Sequence, residues 1–313
     1  MESLIVTPVI ATDRLALAGT LRRAVGSARL VSGGILIPSF SAPLLMDRHD
    51  GLNLTWTEAA HQYTQNRALV LTEHGRVRGE VERIKGAGAI GARPLLRDLD
   101  DASRLDEHQI VNVAAMCVAG SPGLCVFDEQ GAGKTVTVIF AFDLLAKRHE
   151  ADIMLVVAPK SMVPEWPRDL ARFKGDLYRV CVVSGIRREK RAALRRPADC
   201  FFTNFDTAVA LEDDLTGLLR ARDGRAVLVI DESFFVKNLD ARRTQALRRL
   251  REWCGRAFVL CGTPAPNRPD DLIQQFNVVD FGITFEGVDV PDDRHAAITV
   301  VQRAIEGRGL YVR

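Results

Sequence analysis

Two glycines, a lysine and a threonine end the stretch GLCVFDEQGAGKT (residues 123–135), a combination suited to holding a chain of phosphates. The run LCVF predicts a short buried strand, and the following KTVTVIFAFDLLAKR has the apolar spacing of a helix. Between them, Gly131 and Gly133 let the backbone curl so that successive N–H groups point into one concavity. Strand, glycine-rich turn and helix in this order predict a phosphate-binding loop.

The side chains of this loop have separate expected tasks. Lys134 would reach the β- and γ-phosphates of a nucleotide, and the hydroxyl of Thr135 would bind Mg²⁺. The positive end of the helix dipole would favour the same anion. Asp128 stands where the usual pattern has its first glycine. An ordinary glycine-rich turn between a strand and a helix is the alternative interpretation.

A pair of carboxylates, Asp231 and Glu232, follows the apolar run AVLVI. A carboxylate at the end of a buried strand is the group with which nucleotide hydrolases hold Mg²⁺. The second carboxylate can orient or deprotonate an attacking water. Either acid alone is also compatible with helix capping, but the phosphate loop upstream favours the metal and catalytic roles.

From about residue 103 onward, short apolar runs alternate with helical stretches, which predicts a parallel sheet covered by helices on both faces. The runs are DIMLVVAP, YRVCVVS, DCFFTN, RAVLVID and RAFVLC. Ligands of such sheets bind at the carboxyl ends of the strands. Polar residues follow the strands at Pro159-Lys160, Thr203-Asn204, Asp231-Glu232 and Gly262-Thr263. We therefore expect them to form one site together with the phosphate loop.

Length and composition narrow the class of protein. The 313 residues are 47% hydrophobic and 26% charged, as in a soluble globular protein of one or two domains. Residues 1–100 carry no recognisable chemistry, and LIVTPVI and ARLVSGGILIP predict strands, so we expect a small α+β domain there. The small residues and proline of KGAGAIGARP (85–94) indicate a linker, which places the domain boundary near residue 100.

Several features argue against a secreted protein, a membrane-spanning segment and a cysteine-bound metal site. No apolar stretch approaches the roughly 18 residues of a membrane span, and the acidic N-terminus does not suit a signal peptide. The six cysteines lack CxxC spacing and lie mostly in apolar runs, which predicts reduced core thiols in a cytoplasmic protein. A net charge of +2 is too small to indicate nucleic acid by itself. The sequence has 35 arginines but only seven lysines, and this preference indicates a GC-rich genome, prokaryotic or phage-like.

Taken in order, the motifs of residues 103–313 resemble the first RecA-like lobe of superfamily 2 helicases, specifically the Swi/Snf-type DNA translocases. DEQGAGKT resembles the family's DEMGLGKT, and VLVIDESFFVKN resembles its Asp-Glu motif with a trailing Lys-Asn. The segments RLDEHQIVNVAAM, VVAPKSMVPEWPRDLARF, FFTNFDTA and VLCGTPAPN are similar to four further motifs. Six motifs in the family's order make the resemblance specific.

The resemblance implies a role for each matching position. Residues that would bind ATP are Gln109 (adenine), Gly131, Ala132, Gly133, Lys134 and Thr135. Residues that would hold Mg²⁺ are Thr135 and Asp231, and Glu232 would be the catalytic base. Residues that would contact the backbone of double-stranded DNA are Lys160, Ser161, Thr203 and Asn204. Residues that would couple nucleotide state to motion are Gly262, Thr263, Pro264 and Asn267. All of these roles are expectations.

Two features differ from the complete family pattern. Phe234 stands where the family has histidine or aspartate, so a polar link to the Gly-Thr-Pro motif is expected to be lost. GLYVR (309–313) resembles the element that ends the first lobe, so we expect a missing segment or a separate chain to supply the second lobe. Two rival functions stay open: a nucleotide- or DNA-binding module without turnover, and an unrelated P-loop enzyme such as a kinase.

Overall fold

The computed structural model describes residues 3–8, 21, 29–31, 34–38, 54–55, 58–238, 240–262 and 268–313. Contacts between Cα atoms divide the chain into two compact units. The first comprises residues 1–76 with 286–289, and the second comprises residues 77–285 with 290–313. The domain boundary expected near residue 100 stays a prediction.

The first unit contains a four-stranded sheet. Its strands are β1 (Ser3–Pro8), β2 (Arg29–Val31), β3 (Gly34–Pro38) and β4 (Leu54–Thr55). Their order is β2-β3-β1-β4, and the pairs that β3 makes with β1 and β2, and β1 with β4, are antiparallel. The strands expected from LIVTPVI and ARLVSGGILIP are therefore present.

Helix α1 (Glu58–Ala92) corrects one sequence expectation, because it includes most of the segment 85–94 that we expected to be a linker. The helix is interrupted at Gly88, whose φ of 61° and ψ of −167° are not helical. Val77, Val81 and Ile84 are buried at helical spacing. Their burial anchors this part of the helix, although glycine is a poor helix former.

The second unit is built on a seven-stranded sheet in which every strand pair is parallel. The strand order is β11-β5-β10-β9-β6-β8-β7. The strands are β5 (Gly123–Val126), β6 (Ile153–Ala158), β7 (Val180–Val182), β8 (Cys200–Asn204), β9 (Gly224–Ile230), β10 (Cys254–Leu260) and β11 (Tyr311–Val312). Each apolar run singled out in the sequence is one of these strands, so the predicted parallel sheet is confirmed.

Helices connect the strands. They are α2 (Glu107–Met116), α3 (Lys134–Lys147), α4 (Glu165–Lys174), α5 (Arg187–Leu194), α6 (Phe205–Ala210), α7 (Glu212–Arg220), α8 (Arg242–Arg251), α9 (Ile273–Asp280) and α10 (Arg294–Arg308). The chain moves one way across the sheet through α3 and α4, and back through the later helices. Right-handed crossovers therefore place the two groups on opposite faces. In agreement, α3 packs on α4, and α8 packs on α6, α7 and α9.

The core lies between the sheet and these helices. All four residues of β5 and all six of β6 are buried, as in a sheet that is covered on both faces. All six cysteines are buried, as expected. Within the described residues, no helix combines the length and the apolar character needed to cross a membrane.

An arginine is part of this core. Arg251, at the end of α8, is 1% exposed and donates hydrogen bonds to four main-chain carbonyl oxygens. The acceptors are the carbonyls of Pro122, Cys254, Val278 and Val279. Burial lowers the pKa of its guanidinium to about 10. The side chain thus ties the starts of β5 and β10 to helix α9.

Candidate nucleotide site

The loop after β5 has the backbone of a phosphate-binding turn. Gly131 and Gly133 have φ angles of 82° and 78°, in the left-handed region that favours glycine. Helix α3 begins directly afterwards at Lys134, so its free N–H groups face the loop. The Lys134 ammonium donates to the carbonyl oxygens of Asp128 and Glu129, each at 2.9 Å. The lysine therefore already lies across the concavity that a phosphate would enter.

Helix α2 holds the loop from outside. The Gln109 side-chain amide donates to the Ala132 carbonyl at 3.2 Å, and His108 Nε2 lies 2.9 Å from the same oxygen. A Cβ on Gly133 would lie 2.3 Å from Gln109 Nε2, so a larger residue would displace this amide, while the positive φ is what favours glycine. Gln109 thus contacts the phosphate loop, and its contact with adenine stays a prediction. Sequence reasoning missed His108.

A second contact from α2 reaches the start of the loop. Asn112 Nδ2 donates to Asp128 Oδ2 at 2.6 Å, and both side chains are buried. Burial raises the pKa of the Asp128 carboxyl, while nearby His108 and Lys134 and the Asn112 hydrogen bond lower it. The spacing of Gln109 and Asn112, three residues apart on one helix, was the available signal for this contact.

Asp231 lies at the end of β9 and is fixed by two donors. Trp166 Nε1 of helix α4 donates to Asp231 Oδ2, and the Glu232 N–H donates to Oδ1, both at 3.0 Å. Burial raises the pKa of the Asp231 carboxyl, and these hydrogen bonds and the Lys134 charge partly offset that effect. The carboxylate is therefore oriented before any metal binds, and the role of Trp166 had not been predicted.

Glu232 has an unusual backbone and an unpaired oxygen. Its φ of 50° and ψ of 58° are left-handed, a conformation that costs a non-glycine residue on the order of 1 kcal/mol. Its Oε2 is buried and has no hydrogen-bond partner among the described residues. Burial, then the Asp231 charge, raise the pKa of its carboxyl, and Lys134 lowers it. Such a strained, unsatisfied acid is typical of a functional position.

The end of β10 completes this edge of the sheet. A Cβ on Gly262 would lie 2.8 Å from Gln130 Cγ and 3.7 Å from Lys134 Nζ, so only glycine leaves the loop undisturbed. Gly262 is therefore next to the phosphate loop, as its position after a strand predicted, and its coupling role stays a prediction. Residues 263–267, with Thr263, Pro264 and Asn267, lie outside the described residues.

The four expected DNA contacts fall into two groups. Lys160 and Ser161 are exposed in the turn after β6. Thr203 is 1% exposed, and its buried hydroxyl has no hydrogen-bond partner among the described residues. The Asn204 side chain caps helix α6 by accepting from the Thr207 N–H at 2.9 Å. The first pair is accessible to a ligand, and the DNA role of all four stays a prediction.

Aromatic side chains replace the expected polar residue after Glu232. Phe234 stacks on Phe235 with ring centroids 4.5 Å apart, and Phe235 packs on Phe205 at 5.3 Å. The pair thus joins the turn after β9 to the start of α6. Beside them, however, the Ser233 hydroxyl donates to Gln275 Oε1 at 2.6 Å. Sequence reasoning missed this polar contact.

The fold is that of a RecA-like lobe, and its glycine-rich loop lies at the same edge of the sheet as the two carboxylates. The family model for the SNF2-related domain matches residues 106–288, more than half of the chain. The chain belongs to this family of Swi/Snf-type superfamily 2 ATPases, and its second unit is the N-terminal RecA-like lobe.

Two relatives are similar over about half of this chain. The ATP-dependent helicase fft2 of Schizosaccharomyces pombe is 32% identical over 153 residues, which cover 47% of this chain and 11% of fft2. The DNA repair and recombination protein RAD54-like of Gallus gallus is 26% identical over 188 residues, covering 54% of this chain and 24% of that protein. This chain therefore spans a quarter or less of these relatives.

A solved structure has the same fold. The SWI2/SNF2 ATPase core of Sulfolobus solfataricus in complex with double-stranded DNA superposes with a TM-score of 0.52 and 22% identity. The match covers 67% of this chain and 44% of the other chain. At this identity the similarity shows the fold.

Proposed function

We propose that this chain is the ATP-binding lobe of a DNA-dependent ATPase that translocates on double-stranded DNA together with a second RecA-like lobe. One observation carries the proposal: Lys134 lies across a loop of left-handed glycines, at the same sheet edge as the fixed Asp231 and the unsatisfied Glu232. The named relatives and the DNA-bound structural neighbour support the choice of DNA as partner.

The residues present fit Mg²⁺ and ATP. Lys134 and the N–H groups of residues 131–133 would hold the β- and γ-phosphates, because the ammonium can exchange two neutral carbonyls for charged oxygens. The Thr135 hydroxyl, in the first turn of α3, and Asp231 would hold Mg²⁺. Bound Mg·ATP supplies the transferable phosphoryl group and neutralises its developing charge.

Glu232 would act as the general base. Its Oε2 has no partner among the described residues and can take the proton of a water held beside it. The Glu232 N–H donates to Asp231 Oδ1, which holds the main chain of the base in place. An amide at this position would keep the shape and lose the proton acceptor.

Hydrolysis also needs positive charge opposite the lysine. An arginine finger contributes about 10³ to 10⁵ in rate. The family resemblance assigns that arginine to the second lobe. Residues 1–313 assayed alone should therefore bind ATP weakly and turn it over at close to background, with or without DNA. Adding the C-terminal RecA-like lobe of a SNF2 relative should give DNA-stimulated turnover.

The same assay discriminates between the functions. Phosphate transfer to a small molecule would indicate a kinase, and absence of nucleotide binding would overturn the proposal. Robust DNA-stimulated turnover by residues 1–313 alone would show that no second lobe is needed. The second candidate, a binding module without turnover, is favoured by the Phe234–Phe235 stack in place of a polar residue. Binding with no turnover even when the second lobe is added would support it.

A further inference from the structure

A buried polar connection links the catalytic turn to helix α9. Ser233 Oγ donates to Gln275 Oε1 at 2.6 Å, and both residues have 0% exposure. Hydrogen bonds between fully buried groups are strong because no water competes for either partner. The arrangement therefore fixes the turn that begins directly after Glu232.

The connection extends through the residues before α9. Gln275 Nε2 donates to the Asp271 carbonyl oxygen at 3.1 Å, and Lys237 Nζ donates to Asp271 Oδ2 at 3.2 Å. Ser233 is the first residue of the 3₁₀ turn Ser233–Val236, and Lys237 follows its last residue. Both ends of this turn are thus bonded to one short segment, the 3₁₀ turn Pro269–Leu272 and the first turn of α9.

The turn 233–236 and the segment 269–280 are each connected to a different part of the candidate nucleotide site. Glu232 is left-handed, and a residue in that conformation keeps it only when its surroundings hold it there. Ser233, its neighbour, is the residue that Gln275 holds. On the other side, residues 269–280 follow the loop after β10, whose Gly262 lies beside Gln130 of the phosphate loop.

We infer that Ser233 and Gln275 are positioning residues that couple the nucleotide state at Glu232 to the segment 269–280. They supply the polar link that Phe234 cannot supply. The inference rests on the proposed function, since it needs nucleotide to bind at the sheet edge. Coupling of this kind is reciprocal: what nucleotide does to the segment, the segment does to nucleotide affinity.

Amide hydrogen exchange of peptides from 269–280, with and without Mg²⁺ and a non-hydrolysable ATP analogue, tests the inference. In the wild-type chain, we expect nucleotide to slow exchange about fivefold or more, within the usual range of coupling. The double variant Ser233→Ala/Gln275→Leu replaces both partners with apolar groups and leaves no unpaired buried group at this contact. It should still bind the analogue, with an affinity reduced by no more than the factor of the exchange response that it loses.

Two further variants separate coupling from packing. Ser121→Ala is the matched control, because it removes another buried serine hydroxyl, which is bonded to Gly123 at the start of β5, at the opposite edge of the sheet. It should keep the full response, and Ser233→Thr, which keeps the hydroxyl, should keep it as well. A full response in the double variant, or none in a nucleotide-bound wild type, would overturn the inference. A wild-type chain that binds no nucleotide would overturn the proposed function and the inference with it.

Discussion

Replacing Lys134 by alanine should weaken Mg·ATP binding about 10- to 150-fold. The ammonium gives up two neutral carbonyl acceptors, each at 2.9 Å, when it bonds to phosphate oxygens. Hydrogen bonds between ionised partners are about twice as strong as neutral ones. The net loss is therefore about 1.5–3 kcal/mol, less than two complete charge-assisted bonds would give.

The measurement is a titration with a fluorescent ATP analogue, with circular dichroism as the check on folding. Lys147→Ala is the matched control. It lies at the other end of helix α3, and its ammonium bonds to Asp100 Oδ2 at 2.7 Å on an exposed surface. An exposed pair of this kind contributes at most about 1 kcal/mol to stability, and it is remote from the loop. Affinity should be unchanged in this variant.

An affinity within about threefold of wild type in folded Lys134→Ala would refute the reasoning. It would mean that the loop carbonyls, and not phosphates, are the lasting partners of the ammonium. The phosphate-binding role of the whole loop would then be wrong.

Three further perturbations test the site and the core. Glu232→Gln should bind Mg·ATP about as well as wild type but should lose the turnover that a second lobe restores, measured as phosphate release. Normal turnover per bound nucleotide would instead make Glu232 a binding residue. Because burial raises the pKa of Asp231, its carboxylate should protonate at a higher pH than an exposed aspartate. Mg²⁺-dependent ATP affinity should therefore fall as the pH drops from neutral, and this fall should be smaller in Asp231→Asn. Equal pH profiles for the two proteins would contradict a role of Asp231 in holding Mg²⁺. Arg251→Met should lower the free energy of unfolding by about 3–5 kcal/mol in urea titrations, since it leaves buried carbonyls unpaired. Arg249→Met, which removes a partly exposed pair with Glu212, should cost at most about 1 kcal/mol, and equal losses in both variants would refute the argument.

Strand ends made much of this lobe predictable from the sequence. Apolar runs that end in polar pairs determine both the parallel sheet and the edge where ligands bind, because parallel strands bring their carboxyl ends together. Asp231, Gly262 and Lys134 are accordingly found at one edge. Local spacing was sufficient for these residues.

Contacts between distant segments were not predictable in the same way. The Asn112–Asp128 and Ser233–Gln275 hydrogen bonds join residues 16 and 42 positions apart. Only the spacing of Asn112 from Gln109 pointed to the first pair, and no local pattern marks the second. The linker expected at 85–94 was wrong for a different reason. Its small residues suggested a linker, but the helix that contains the buried Val77, Val81 and Ile84 continues into it as far as Ala92, with an interruption at Gly88.

The position of β5 in the sheet has a consequence for the order of folding. This strand is the first of the seven to be synthesised, yet its neighbours, β10 and β11, are the last two. A growing chain therefore carries the phosphate loop on an unpaired apolar strand until β10 has left the ribosome. Pairings so distant in sequence close slowly and leave such a strand open to aggregation meanwhile. The loop is thus supported on both sides of its strand only after β10 and β11 have paired with β5.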